Sequence, residues 1–191
     1  MTAYSPDLKP LLNLTEEQFY TLCQANPDIK FERNRRGNLI LMAPTGGGTG
    51  YRNSELNADF VIWNRQTQLG KVFDSSTCFH LLGGSDRSPD IAWVRQECWE
   101  ALTPEQQEKF PPLAPDFVLE LMSPSDALAE AQAKMEEYRD SGVRLGWLLH
   151  RKLRRVWIYR PEQTTQLLEN PERLSGEEIL PGFSLNTRNI W

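Results

Sequence analysis

The stretch "PDFVLELMSPSD" (115–126), together with "DALAEAQAKMEEYRDSG" (126–142) and "VRLGWLLH" (143–150), constrains the fold more than any other part of the chain. Val118, Leu119, Leu121 and Met122 read as a strand apolar on both faces, and such strands lie inside a sheet. Residues 126–142 read as an amphipathic helix, with Ser125 or Asp126 at the N-cap and Gly142 past the C-terminus. A second apolar strand follows directly. Strand, helix and strand in that order predict two parallel strands joined by a right-handed crossover. Glu120 stands inside the first of these strands. An ionised carboxylate taken out of water costs several kcal/mol unless something pairs with it, so the sequence demands a partner for Glu120.

The remaining elements fit around this unit. "LTEEQFYTLCQAN" (14–26) predicts a short helix with Thr15 at the N-cap and Gln18 completing a capping box. "IKFERNRRGNLILMAP" (29–44) predicts a hairpin turning at Gly37. "TGGGTGYRN" (45–53) reads as a mobile lid or loop. It lacks the GK[ST] ending of a phosphate-binding loop, since Tyr51 and Arg52 follow Gly50. A helix over 53–67 places Leu56, Phe60 and Trp63 on one face. Strands are expected over 70–82 and 88–96, a helix over 98–112 ending at a Pro pair, a strand over 154–161 and a weak strand near "TQLLE". The sum is an α/β fold with a mixed central sheet flanked by helices, an N-terminal helix and hairpin, and one domain over 1–191 with its core at about 45–160.

Composition excludes several classes. No apolar run approaches the length of a membrane span, and "MTAYSPDLKPLLNLTEEQF" lacks the pattern of a signal peptide, so a cytoplasmic protein is expected. Cys23, Cys78 and Cys98 are odd in number and far apart, which predicts free thiols rather than a zinc site or disulfides. The net charge of −5 argues against a surface coated for non-specific DNA binding. Local basic runs remain: "RNRR" (33–36) and "HRKLRR" (150–155) are either solvated turns or phosphate contacts. A Ser-His-Asp arrangement of Asp74, Ser75 or Ser76 with His80 is not expected, because alternate strand residues face opposite ways.

Asp90 opens one predicted strand and Glu120 lies within the next one in sequence. Two carboxylates converging on neighbouring strands suit a hard divalent cation that keeps most of its waters. Hydrolysis needs a third group to orient or activate water, and a lysine can serve. Met122, two residues past Glu120, supplies none. Lys134 does, on geometric grounds. Residues 127 to 134 rise about 10 Å along the helix, and residues 123 back to 120 span about 10 Å of strand. Lys134 therefore stands level with Glu120, in a row with Ala127, Ala131 and Tyr138 beside the apolar stripe. As a partly exposed ion pair it would contribute only about 0–1 kcal/mol to stability.

The blocks "RSPDIAWV", "PDFVLELMSPSD" and "KMEEYRDSGVRLGWLL", in this order, resemble the Uma2-type family, also called DUF820, of the PD-(D/E)XK restriction-endonuclease-like superfamily. The resemblance covers about residues 15 to 185. It implies a nuclease core in which Asp90 matches the motif aspartate, Glu120 the motif glutamate, and Lys134 a lysine moved from strand to helix. It also implies Mg or Mn as cofactor, nucleic acid (DNA first) as partner, and a homodimer by analogy with enzymes that cut both strands. Glu55 is a candidate accessory acid, and Arg52, Arg151 and Arg154 are candidate phosphate contacts. The chain departs from the pattern at three places: Met122 where relatives often carry Arg, His150 where an Asp often ends the strand, and no His near the glycine loop.

Two functions follow. One is a metal-dependent endonuclease that hydrolyses phosphodiester bonds. The other is a nuclease-fold module, weakly active or inactive, that binds nucleic acid or a protein. An intact Asp90–Glu120–Lys134 cluster favours the first; a dispersed one favours the second.

Overall fold

A computed structural model describes residues 14–191; the opening segment that was read for a targeting signal lies largely outside the described residues. Helix α1 (Glu16–Ala25) starts with the expected reciprocal cap between Thr15 and Gln18. Strands β1 (Lys30–Arg33) and β2 (Leu39–Met42) form the hairpin. Gly37 takes φ +80° at its turn, a conformation that costs glycine little, and the Asn34 side chain accepts from the amides of Arg36 and Asn38. Helix α2 (Gly47–Thr67) leads to β3 (Gly70–Asp74), β4 (Phe79–His80), β5 (Asp86–Arg87) and β6 (Ile91–Arg95). Short helices α3 (Gln96–Glu100) and α4 (Pro104–Glu108) precede β7 (Phe117–Leu121), α5 (Leu128–Asp140), β8 (Leu145–His150) and β9 (Arg155–Tyr159). Strands β10 (Gln166–Glu169), β11 (Arg173–Ser175) and β12 (Ser184–Asn186) and a closing 3-10 turn (Thr187–Asn189) complete the chain.

Six strands form the main sheet in the order β10-β9-β8-β7-β6-β3. β7 and β8 are parallel across α5, as the strand–helix–strand pattern requires, and every other pairing is antiparallel. The fold is thus mixed α/β. Alternation divides the sheet into two faces. Phe117, Leu119 and Leu121, with Ile91, Trp93, Leu145, Trp147 and Leu149, face α2, where Leu56, Phe60 and Trp63 are buried against them. Three such side chains, each contributing about 1.5–3 kcal/mol on full burial, fasten α2 to the sheet. Val118, Met122, Ala92, Val94 and Leu148 face Met135 and Tyr138 of α5. Gly146 lets α5 come close, since a Cβ there would lie 2.6 Å from the Met135 methyl.

A second sheet, β2-β1-β5-β4, carries α1 on Phe19, Phe31 and Leu39. β1 joins β5 through one ladder pair, Arg33 with Asp86, reinforced by an Arg33–Asp86 ion pair of 2.6 Å in which both side chains are buried. Arg33 is therefore a core group, not part of a solvated basic turn.

The structure corrects four local expectations. The glycine-rich loop is helical: α2 begins at Gly47, because Thr49 is buried and the Gly48 carbonyl accepts from both Arg52 and Arg151. The strand expected over 70–82 breaks at Asp74, whose carboxylate binds the amide and hydroxyl of Ser76, and its second half joins the other sheet. The helix expected over 98–112 is two helices, because Thr103 caps a new start at Pro104. Helix α5 has Ala127 at its N-cap, since Asp126 instead closes the turn onto Ser123 at 2.6 and 2.7 Å.

Candidate active site

The antiparallel register of β6 and β7 pairs Ile91 with Leu119 and Ala92 with Val118. Asp90, the residue just before β6, lies against the end of β7, where Glu120 feels its charge. Like charges brought together in a sheet repel, so this arrangement persists only with other groups around it. Asp90 accepts the Leu121 amide at 2.8 Å on one oxygen and the Asn53 side-chain amide at 3.0 Å on the other. Glu120 Oε1 meets the Lys134 ammonium at 2.8 Å and accepts the Tyr138 hydroxyl at 3.0 Å. Lys134 is thus at the level of Glu120 that the rise along strand and helix requires. Tyr138, one turn on in the same row, is fully buried.

The lysine is shared. Its Nζ also lies 2.9 Å from Glu32 Oε1 on β1. Glu32 is 1% exposed, accepts the Ser88 amide at 3.0 Å, and pairs through Oε2 with Arg87 at 2.9 Å. Arg87 continues to Glu137 of α5 at 2.7 Å. The result is a buried chain of charge, Asp90 / Glu120–Lys134–Glu32–Arg87–Glu137, that crosses from the main sheet to the hairpin sheet. Burial pushes the Glu120 carboxyl up to about 7, with Lys134 opposing the rise and Asp90 and Glu32 adding to it. Burial also raises Asp90, against the Leu121 amide, Lys134, Lys30 and Asn53. Glu32 is different: burial disfavours its charge, but Lys134 and Arg87 outweigh burial and hold it at about 2. Lys134 stays firmly protonated, because Glu120 and Glu32 outweigh its own burial.

The donor set fits a hard divalent cation. Asp90 and Glu120 offer oxygens from adjacent stretches of the sheet, and beside them the Asn53 side-chain oxygen is buried without a hydrogen-bond partner among the described residues, a natural acceptor for a water carried by such an ion. Among the described residues no group of three or more His, Cys, Asp or Glu side chains is spaced to hold a metal ion, so two acids and water would be the coordination offered.

The other expected residues fall as follows. Glu55 is exposed on α2, and its charge is felt by Asp59; α2 reaches Asp90 through Asn53 instead. Arg52 donates to the Ile190 carbonyl at 2.8 Å and to Gly48. Arg151, just past β8, donates to Gly48 and to the Thr49 hydroxyl. Neither arginine has a carboxylate partner among the described residues. Arg154 is exposed in the β8–β9 turn at φ +50°. Met122 is buried in the α5-facing core and His150 Nδ1 accepts the Leu153 amide, so both departures from the family pattern have local structural roles. His80 Nδ1 lies 2.8 Å from Asp86, and Ser76 is bound to Asp74. The three cysteines are free.

Sequence reasoning missed Glu32, Arg87 and Asn53. Alternation in "IKFER" does set Lys30 and Glu32 on one face of β1, but no local signal brings that face to a helix a hundred residues later.

Comparison with known proteins agrees with this architecture. The crystal structure of "a putative nuclease belonging to DUF820" from Anabaena variabilis is similar to this chain at a TM-score of 0.77 and 19% identity, covering 93% of this chain and 97% of that one; likeness at this identity shows the fold. No curated protein matches. The family model Uma2, described as "putative restriction endonuclease", matches residues 16–188. Since that match runs from the first residue of α1 into the closing 3-10 turn, taking in Asp90, Glu120 and Lys134, the chain belongs to the Uma2 family.

Proposed function

We propose that the protein is a metal-dependent endonuclease that hydrolyses phosphodiester bonds of DNA, with Asp90 and Glu120 holding Mg or Mn and Lys134 assisting the attacking water. The observation that carries this reading is the convergence of Asp90, held on the Leu121 amide beside Glu120, with the Lys134 ammonium 2.8 Å from Glu120. Fully ionised, Asp90, Glu120, Glu32 and Glu137 outnumber Lys134 and Arg87, and with Lys30 acting on Asp90 the cluster still stays net negative. A divalent cation would offset that excess.

Bound between Asp90 and Glu120, such a cation would neutralise charge developing on the scissile phosphate. The rest falls to the chain. Asn53 and the Leu121 amide fix Asp90. The Tyr138 hydroxyl fixes the Oε1 of Glu120. Lys134 has three N–H donors, two committed to Glu120 and Glu32, and the third is available to a water or a phosphate oxygen. Arg52 and Arg151, near the start of α2 and without carboxylate partners among the described residues, are suited to flanking phosphates. Arg154 is a weaker third contact, and a homodimer would present two sites to the two strands of a duplex.

The test is cleavage of single- and double-stranded DNA, and of RNA, with Mg²⁺ or Mn²⁺, alongside calorimetry of metal binding. Asp90→Ala should abolish both binding and cleavage. Unchanged metal binding in that variant refutes the assignment. Nucleic-acid binding without cleavage in the native protein would favour the binding-module reading.

A further inference from the structure

We propose that Glu32, on the N-terminal hairpin, is the positioning residue for Lys134: its carboxylate keeps the ammonium beside Glu120 when a metal ion occupies the neighbouring carboxylates. The inference rests on the proposed function, and it assigns to the hairpin sheet a part in the chemistry of the main sheet.

The argument begins with competition. Lys134 meets Glu120 through Oε1, and Glu120 is also the group that would hold the metal. A dication carries twice the lysine's charge, competes for the same carboxylate and repels the ammonium at contact distance. With Glu120 as its only partner, Lys134 would be displaced as the site loaded, just when its N–H is needed. Glu32 removes that difficulty. It binds Lys134 at 2.9 Å from the side of β1, not from the strand that carries Glu120.

Glu32 is itself immobilised. The Ser88 amide and Arg87 hold its two oxygens, and Arg87 is braced by Glu137 on the same helix as Lys134. Ser88 lies two residues before Asp90, so one short segment pins the anchor and carries the proposed metal ligand. Every oxygen of Glu32 is engaged within the protein, and its side chain is 2% exposed, which leaves it no role as a direct ligand for substrate. A residue so placed acts through the group it holds.

The test is Glu32→Gln, read first by the ¹H–¹⁵N resonance of the Lys134 ammonium, assigned by its loss in Lys134→Met. In the native protein with saturating Mg²⁺ this resonance should persist as a slowly exchanging signal. In Glu32→Gln it should vanish into solvent exchange when Mg²⁺ is added, while calorimetric Mn²⁺ affinity stays within about threefold. Cleavage should fall roughly 10²-fold in kcat, the scale of one catalytic group, with KM little changed, and Lys134→Met/Glu32→Gln should be no slower than Lys134→Met. A Lys134 signal that survives Mg²⁺ in Glu32→Gln overturns the proposal. If the native protein binds Mg²⁺ yet cleaves nothing, the nuclease reading fails while the resonance still decides the role of Glu32; if it binds no Mg²⁺, both fall. Should Glu32→Gln not fold, the charge-balanced pair E32Q/R87Q is read in the same way.

Discussion

Replacing Lys134 with Met removes the charge and keeps most of the apolar stem, and its cost is set by the burial of the site. The lysine side chain is only 14% exposed and pairs with two carboxylates, so the surface-pair figure of about 0–1 kcal/mol expected from sequence is too small. Breaking a buried pair costs about 3–5 kcal/mol. The lower end applies at pH 7, because Glu32 retains Arg87 and Ser88 while Glu120 can take up a proton. The cost should then grow with pH. In the native protein Glu120 titrates at about 7 against 4.5 when unfolded. A raised acid costs stability as pH climbs from the unfolded to the folded value, and the loss ends there. Lys134 opposes that rise, so the variant's Glu120 titrates higher and continues to lose stability above pH 7, at about 1.4 kcal/mol per pH unit. Lys134 itself is protonated in both states below about pH 10 and adds no slope. Between pH 7 and 8.5 the gap between the two proteins should therefore widen by about 2 kcal/mol. Urea unfolding at pH 6, 7 and 8.5 measures it. A gap that is constant or narrows over that range refutes the coupling of Lys134 to Glu120.

Two further outcomes test the surroundings. Arg52→Ala/Arg151→Ala should weaken DNA binding and make the slope of log affinity against log salt shallower by about 0.9 per lost phosphate contact; an unchanged slope in a binding titration removes these residues from the interface. Gly70→Ala should destabilise by about 3 kcal/mol or more in thermal unfolding, because its Cβ would lie 2.2 Å from the Val94 carbonyl oxygen and 2.7 Å from the Trp93 ring; a melting temperature within a degree of native would show that β3 can shift.

What could be read from sequence was what is local or periodic. The reciprocal cap of α1, the hairpin at Gly37, the buried row of α2 and the parallel pair across α5 all follow from spacing. The level of Lys134 follows from the rise per residue of helix and strand. The misreadings have two causes: a competing local contact of a capping or turn residue, and a tertiary contact that overrides local propensity. Gly47 to Gly50 are poor helix formers, yet they are helical because Arg52 and Arg151 close on the Gly48 carbonyl. Asp126 had the chemistry of an N-cap but found Ser123 first. Glu32 and Arg87 were invisible as site residues because the contact that makes them so spans 102 residues, from β1 to α5.

That long span bears on how the protein comes into being. Glu32, Asn53, Asp90, Glu120 and Lys134 are delivered by five separate stretches, and β7 gains its parallel neighbour only once residues 145–149 exist. A chain growing from its N-terminus has the residues for the hairpin, α2 and the first strands of the main sheet, and can set Glu32 against Arg87 and Ser88, yet it still lacks Lys134 and Glu137. The centre comes together in one late step, after α5 and β8 have emerged and docked. Premature termination upstream of α5 therefore yields fragments that hold the anchor for the lysine but neither the lysine nor the buried environment that shifts Glu120.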